Sequence, residues 1–268
     1  MATQPPIADF VDVERYPISD LENLEAARLV ESCHDELQRT GACKLDGFLR
    51  LEAVARMAEA GAELAAKGFP NDDVHNVYFT EIDETLPVDD PRRILVRSAQ
   101  KAVAMDILPP DFPTRQVYEW DGLTRFVAAV LGKDVLYRSA DPLDGCNLTV
   151  YEPGDELGWH FDNSEFSITL MAQPAERGGE FEYVPMIRTP EDENYPAVRA
   201  LLQGSREGVI PFPSGPGTLG FFRGRYSIHR VPPVEGSRPR LNSVLTYAAE
   251  PGHKLKPLTQ KLFYGRTA

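Results

Sequence analysis

The chain has 268 residues, with 28 Lys and Arg against 41 Asp and Glu, a formal net charge of −13. That balance argues against a nucleic-acid or anionic-membrane partner, since either needs clustered cations. An apolar fraction of 42% is ordinary for a protein with a buried core, and no uncharged apolar run reaches the ~18 residues of a membrane span.

Residues 1–10 have neither a basic stretch nor an apolar run, so no secretion signal is read. The cysteines, Cys33, Cys43 and Cys146, are odd in number and form no C-x-x-C pair. They read as three reduced thiols of a cytoplasmic protein rather than a disulfide framework or zinc knuckle. The sequon at Asn147-Leu-Thr149 is then a chance match.

In chain order, the first half reads as mostly helical. Ser19-Asp-Leu-Glu22 has the form of a capping box. Ala26, Val30, Cys33 and Leu37 follow at helical spacing until Gly41 stops the run. A strand-like piece at 43–49 leads to a second helix over roughly 51–67, ending before Gly68. Residues 74–80 are rich in strand formers, and Trp120, Leu123, Val127, Val130 and Leu131 mark a third amphipathic stretch. From about residue 134 the texture changes to short alternating runs at 147–151, 166–171, 180–184, 218–222 and 243–247, separated by Gly and Pro clusters. Such punctuation indicates an all-β sandwich or barrel. The polar, Pro-rich segment 186–216, with a short helix around 195–203, interrupts the pattern as a lid over a site would. The chain therefore reads as one domain over 1–268: a helical support over 1–133, and a β core over 134–268.

Of five histidines, two demand a chemical explanation. In Trp159-His-Phe-Asp162, His160 and Asp162 stand two apart, so a strand points both to one face and Trp159 and Phe161 to the other. His229, in Ser227-Ile-His229-Arg-Val, lies about one sheet crossing further on. Two imidazoles and one carboxylate on one face leave three positions of an octahedron open, the facial triad of non-haem Fe(II) and oxygen chemistry. An isolated H-x-D is common by chance, and a single strand histidine is more often core or surface. No role falls to His34 on a helix face or to His253 in a turn; for His75 a place in a pocket wall is open, with a surface loop the preferred reading.

Over residues 141–250 the sequence resembles the Fe(II)/2-oxoglutarate-dependent oxygenase superfamily. The resemblance rests on Asn147-Leu-Thr-Val-Tyr-Glu-Pro-Gly154, Gly158-Trp-His-Phe-Asp162, Gly178-Gly-Glu-Phe181, Gly217-Thr-Leu-Gly-Phe-Phe222, His229-Arg-Val-Pro-Pro-Val-Glu-Gly236 and Ser237-Arg-Pro-Arg240-Leu-Asn-Ser243, in that order. It implies a double-stranded β-helix, or jelly-roll, core of cupin-like type with flanking helices. It also implies Fe(II) on His160, Asp162 and His229, with 2-oxoglutarate and O2 as co-substrates. The family places an arginine past the second histidine to grip the distal carboxylate of 2-oxoglutarate, a task that suits a bidentate guanidinium. Arg240 and Arg238 both answer that description, and Arg240, after Pro239 at a strand start, is preferred. Asn147, Thr149 and Tyr151 would share one strand face as co-substrate or substrate contacts.

A narrower resemblance is to bacterial enzymes that halogenate or hydroxylate free amino acids, lysine-like ones especially. Asn76-Val-Tyr-Phe-Thr80, Asp141-Pro-Leu-Asp-Gly, Trp159-His-Phe-Asp-Asn-Ser-Glu-Phe166, Gly179-Glu-Phe-Glu-Tyr-Val-Pro185 and Phe263-Tyr-Gly-Arg266 carry it. In halogenating members a glycine replaces the carboxylate ligand and vacates a place for chloride, whereas Asp162 is present here. The resemblance thus implies hydroxylation of a small molecule, a free basic amino acid such as lysine. A peptidyl hydroxylase on the same core and a non-enzymatic metal-binding cupin-like protein are the alternatives. Arg223, Arg225, Glu119, Asp141 and Asn163 are unranked candidates for holding an amino-acid substrate, against a solvated role for each. Oligomeric state is not legible.

Overall fold

The computed structural model describes residues 6–268, so the first five residues of the stretch searched for a secretion signal lie outside the described residues. The helices are α1 (Leu24–Thr40), α2 (Leu51–Ala65), α3 (Pro113–Glu119), α4 (Asp121–Val130), α5 (Tyr195–Leu202) and α6 (Pro257–Tyr264). The strands of the first half are β1 (Ala42–Leu45), β2 (Phe69–His75) and β3 (Val96–Val103). Those of the second are β4 (Tyr137–Arg138), β5 (Cys146–Tyr151), β6 (Glu156–His160), β7 (Ser167–Gln173), β8 (Arg177–Gly178), β9 (Glu182–Val184), β10 (Ile210–Pro211), β11 (Leu219–Phe222), β12 (Ile228–Val231), β13 (Val234–Glu235), β14 (Arg240–Leu245) and β15 (Tyr247–Ala248).

Eleven strands form one antiparallel sheet in the order β1-β11-β7-β14-β5-β3-β6-β12-β9-β10, with β2 added on β3. The sheet curls into a half-barrel of double-stranded β-helix type with helices on its outside, as the resemblance implies. Strand β3 joins its two halves: Lys101, Ala102 and Val103 lie opposite Val150, Thr149 and Leu148 of β5, while Ser98 and Ala99 lie opposite Leu157 and Glu156 of β6.

Period-two alternation sorts the strands into two faces. Leu148, Val150, Ile168, Leu170, Leu219, Phe221 and Leu241 meet Leu37, Met57, Val117, Leu123, Phe126 and Val127 of the helices in one core. Fully burying such a side chain contributes roughly 1.5–3 kcal/mol. That layer turns the alternate residues, including Asn147, Thr149, Tyr151, Arg240 and Asn242, to the opposite, inner face of the curl.

Several expectations are corrected. Helix α1 is capped by Asn23, whose Oδ1 accepts from the Glu25 amide at 2.8 Å, and not by Ser19; the 19–22 stretch is a turn in which Asp20 accepts from the Glu22 amide. Gly41 does end α1, at φ 75°. The run at 74–80 is a strand only to His75, because the Asn76 side chain takes the amides of Tyr78 and Thr80 and folds the chain into a loop. Strands β1, β2 and β3 of the first half belong to the main sheet, so that half is not simply a helical support. Helix α5 packs through Val198 and Leu201 on Trp159 and Phe161, the side of β6 away from His160. Arg206 of the same insertion forms a two-pronged ion pair with Glu182. All three cysteines are buried and free, and among the described residues no helix is long and apolar enough to cross a membrane.

Candidate metal and co-substrate site

Strands β12 and β6 pair so that His229 lies directly opposite His160, and their ring centroids are 4.0 Å apart. Asp162 follows His160 just past the end of β6. Its Oδ1 lies 3.5 Å from His160 Nε2 and 3.4 Å from His229 Nε2, so three ligand atoms converge. His160 Nδ1 donates to the Gly158 carbonyl at 2.8 Å and His229 Nδ1 to the Ser227 carbonyl at 3.0 Å. Each backbone bond fixes the tautomer and leaves Nε2 as the free lone pair, the arrangement a metal-ligating imidazole needs. Ser167 Oγ donates to Asp162 Oδ2 at 2.7 Å, so Oδ1 is the oxygen left for a metal. Gly224 allows this fit: a Cβ there would fall 1.9 Å from Asp162 Oδ2.

Electrostatics point the same way. Burial, with the His229 charge second, pulls the His160 imidazole below its usual range and favours the neutral ligand form. Burial alone would raise Asp162, but the nearby imidazoles, which in their protonated form place a positive charge and Nε2–H donors against it, outweigh burial and hold the carboxyl well below the usual range. Two imidazoles and one carboxylate in this spacing suit one divalent cation with open positions, the donor set of Fe(II) oxygenases.

Arg240 opens β14 opposite Tyr151 of β5. It is 4% exposed, and among the described residues its guanidinium has no hydrogen bond or ion pair, only the Tyr151 ring at 5.2 Å. Burial lowers its pKa and raises that of Tyr151 to about 12. A buried cation without an anion is a site awaiting one, and the distal carboxylate of 2-oxoglutarate fits. Arg238 is exposed and spent on the Pro174 and Ala175 carbonyls. Asn147 and Thr149 bond to each other, and Asn147 also donates to the Tyr264 hydroxyl of α6. A cleft of about 840 Å3 is lined by Arg240, Met171, Thr218, Phe181, Phe212 and Lys44. The three ligands do not line it; Phe181 stands between, stacked on His229 at 5.3 Å.

The other residues singled out in the sequence divide clearly. Asp141 is buried and holds α6 through the Leu255 amide and Gln260, Glu119 pairs with Arg115, and Arg223 binds Gln38. Arg225 is exposed and donates to the Asn163 carbonyl, just past Asp162. His34 donates to the Val130 carbonyl, a structural tie. His75 is corrected from a surface loop: it is half-buried, with its ring 6.3 Å from that of His160. Ser167, Ser98 and Gly224 carried no signal, since serines and glycines of that kind occur throughout the chain.

A curled antiparallel sheet that brings two histidines and one aspartate together in this way carries the facial triad typical of Fe(II)/2-oxoglutarate-dependent oxygenases. Residues 25–262 match the family described as Halogenase D (HalD), and the chain belongs to that family. Among solved structures it is similar to AviO1 from Streptomyces viridochromogenes Tue57, with TM-score 0.56 and 22% identity over 84% of this chain and 97% of that one. It is also similar to a 2OG-Fe(II) oxygenase family oxidoreductase from Burkholderia pseudomallei, with TM-score 0.52 and 16% identity over 83% and 92% of the two chains. The carbocyclase SnoK from nogalamycin biosynthesis gives TM-score 0.56 and 15% identity over 89% and 92%. At these identities the likeness is one of fold. No curated protein matches the sequence.

Proposed function

We propose that the protein hydroxylates an unactivated C–H bond of a small substrate, a free amino acid of the lysine type, with Fe(II), 2-oxoglutarate and O2. The observation that carries hydroxylation over halogenation is Asp162: a carboxylate oxygen is fixed between the two imidazoles, where halogenating relatives have glycine. His160, Asp162 and His229 hold the iron, and Arg240 neutralises the distal carboxylate of 2-oxoglutarate beside Tyr151. Once bound, the iron and 2-oxoglutarate supply the oxidising power that O2 alone lacks. The protein orients the substrate carbon, turns Nε2 of both histidines toward the metal position through their Nδ1 hydrogen bonds, and excludes water. Asn147, Thr149 and Tyr151 shape the inner wall near the co-substrate. Within the 186–216 insertion, α5 is fixed to the back of β6, and residues 212–216 line the cleft, held there by the Phe212 amide donating to the Phe181 carbonyl and by Lys44 donating to the Pro213 carbonyl. The reading places the enzyme in the cytoplasm, consistent with three free thiols.

The test is succinate release over a panel of free amino acids, with the product mass measured in chloride buffer. The expected outcome is stimulation by a basic amino acid and a gain of one oxygen. A chlorinated product overturns the role given to Asp162, and stimulation by peptides alone overturns the substrate class.

A further inference from the structure

The two sides of the ligand pair are built differently. His229 is closed in by Phe222 at 4.7 Å and Phe181 at 5.3 Å, both part of a packed aromatic cluster. His160 is faced by Phe79, whose ring lies 5.5 Å from the His160 ring and 4.3 Å from that of His75, and which is 45% exposed. On the His160 side, the ring that faces the pair is thus one that also reaches solvent.

The loop holding Phe79 is fixed to the ligand strand at several points. Val77 accepts from the amide of Phe161, the residue between His160 and Asp162. His75 Nδ1 donates to the Asn76 carbonyl, so its Nε2 accepts from Ser98 Oγ at 2.6 Å. Ser98 Oγ accepts in turn from the Gly158 amide, and the Gly158 carbonyl orients His160. Asn76, 1% exposed, spends its whole amide on this loop: Oδ1 takes the amides of Tyr78 and Thr80, and Nδ2 donates to Thr80 and to the Arg92 carbonyl. The outcome is φ 53° at Phe79, a conformation that bulky residues rarely adopt. A half-exposed phenylalanine held in left-handed backbone by a buried side chain gains little from burial. Strain retained in this way beside the candidate ligand His160 points to a working position.

We infer that Phe79 is a specificity-determining residue: its ring is the apolar wall against which the carbon chain of the substrate lies beside His160, and Asn76 positions it. The inference rests on the oxygenase reading above and adds the surface that selects the substrate, one suited to an extended methylene chain.

Full-length Phe79→Ala and Phe79→Gly test it. Anaerobic titration of Fe(II) and 2-oxoglutarate, followed by the visible charge-transfer band, should give dissociation constants within about twofold of wild type, because neither group touches Phe79. In succinate release over free amino acids and short peptides, Phe79→Ala should raise the KM of the best substrate about tenfold or more and narrow the preference for longer over shorter side chains. An unchanged KM and an unchanged preference overturn the inference. Phe79→Gly separates strain from packing. Release of the left-handed strain should offset the added freedom of the unfolded chain and leave the melting temperature within about 2 °C of wild type, whereas a larger fall makes Phe79 a packing residue and overturns its assignment. If no charge-transfer band forms in wild type, the oxygenase reading itself fails. If peptides alone stimulate, the amino-acid reading fails and the Phe79 effect is read on the peptide.

Discussion

Replacing Arg240 with methionine should make the protein more stable and unable to hold 2-oxoglutarate. The guanidinium is 4% exposed and has no anionic partner among the described residues, only the Tyr151 ring at 5.2 Å. A cation–π contact of that kind contributes about 1–2 kcal/mol when desolvated, while the desolvation penalty of a buried ion is several kcal/mol. Substitution of buried charges by apolar groups is neutral to stabilising by about 1–4 kcal/mol. Because Arg240 also borders the open cleft, the lower end applies, about 1 kcal/mol, or a rise of about 2–4 °C in melting temperature. With ligand the sign reverses. A carboxylate left facing an apolar side chain loses about 3–5 kcal/mol, which weakens 2-oxoglutarate binding by about two to three orders of magnitude or more. Differential scanning calorimetry of the ligand-free protein and anaerobic 2-oxoglutarate titration of the Fe(II) form measure the two effects. A lower melting temperature with unchanged 2-oxoglutarate affinity refutes the reasoning and makes Arg240 a structural cation.

Three other outcomes follow from the geometry. Ser167→Ala removes the bond that turns Asp162 Oδ1 toward the histidines; Fe(II) affinity by chelator competition should fall about 10–100-fold, and a change below twofold would show that Asp162 is positioned without it. Gly224→Ala puts a methyl 1.9 Å from Asp162 Oδ2, so metal binding should be lost while far-ultraviolet circular dichroism is retained; full metal affinity would mean that the loop yields freely. Burial raises the Asp144 pKa to about 6 from an ordinary 3.8. The folded state thus holds this proton more tightly than the unfolded one, and stability falls as pH rises from about 4 to about 6, by up to about 3 kcal/mol from this group. Asp144→Asn should flatten that slope in urea unfolding, and an identical slope in both proteins would contradict it.

The H-x-D spacing made the ligand pair legible, but alternation alone does not place it: β6 ends at His160, and Asp162 reaches the site from the following loop, where its amide donates to the Gly224 carbonyl. His229 was placed only by order and spacing, and its pairing opposite His160 is a property of the sheet. The preference for Arg240 rested on Pro239, which cannot donate to a ladder, and β14 indeed begins at Arg240. Strand β3 was hidden because Ala99, Gln100, Lys101 and Ala102 are better helix formers than strand formers and Ser98 and Ala99 are both buried, so no alternation shows. The 74–80 run misled for a local reason: its strand formers are real, but the Asn76 amide competes for the backbone groups that a ladder would use. Ser167 and Ser98 act through partners distant in sequence, and no local pattern announces them.

The most direct measurement is the anaerobic addition of Fe(II) and then 2-oxoglutarate to the purified protein, with the visible spectrum recorded. A weak charge-transfer band should saturate at one equivalent of iron, vanish in His229→Ala, and need far more 2-oxoglutarate in Arg240→Met. A wild-type protein that binds Fe(II) and 2-oxoglutarate without any such band, or a band that survives loss of His229, would contradict the assignment of the triad and its arginine to one site.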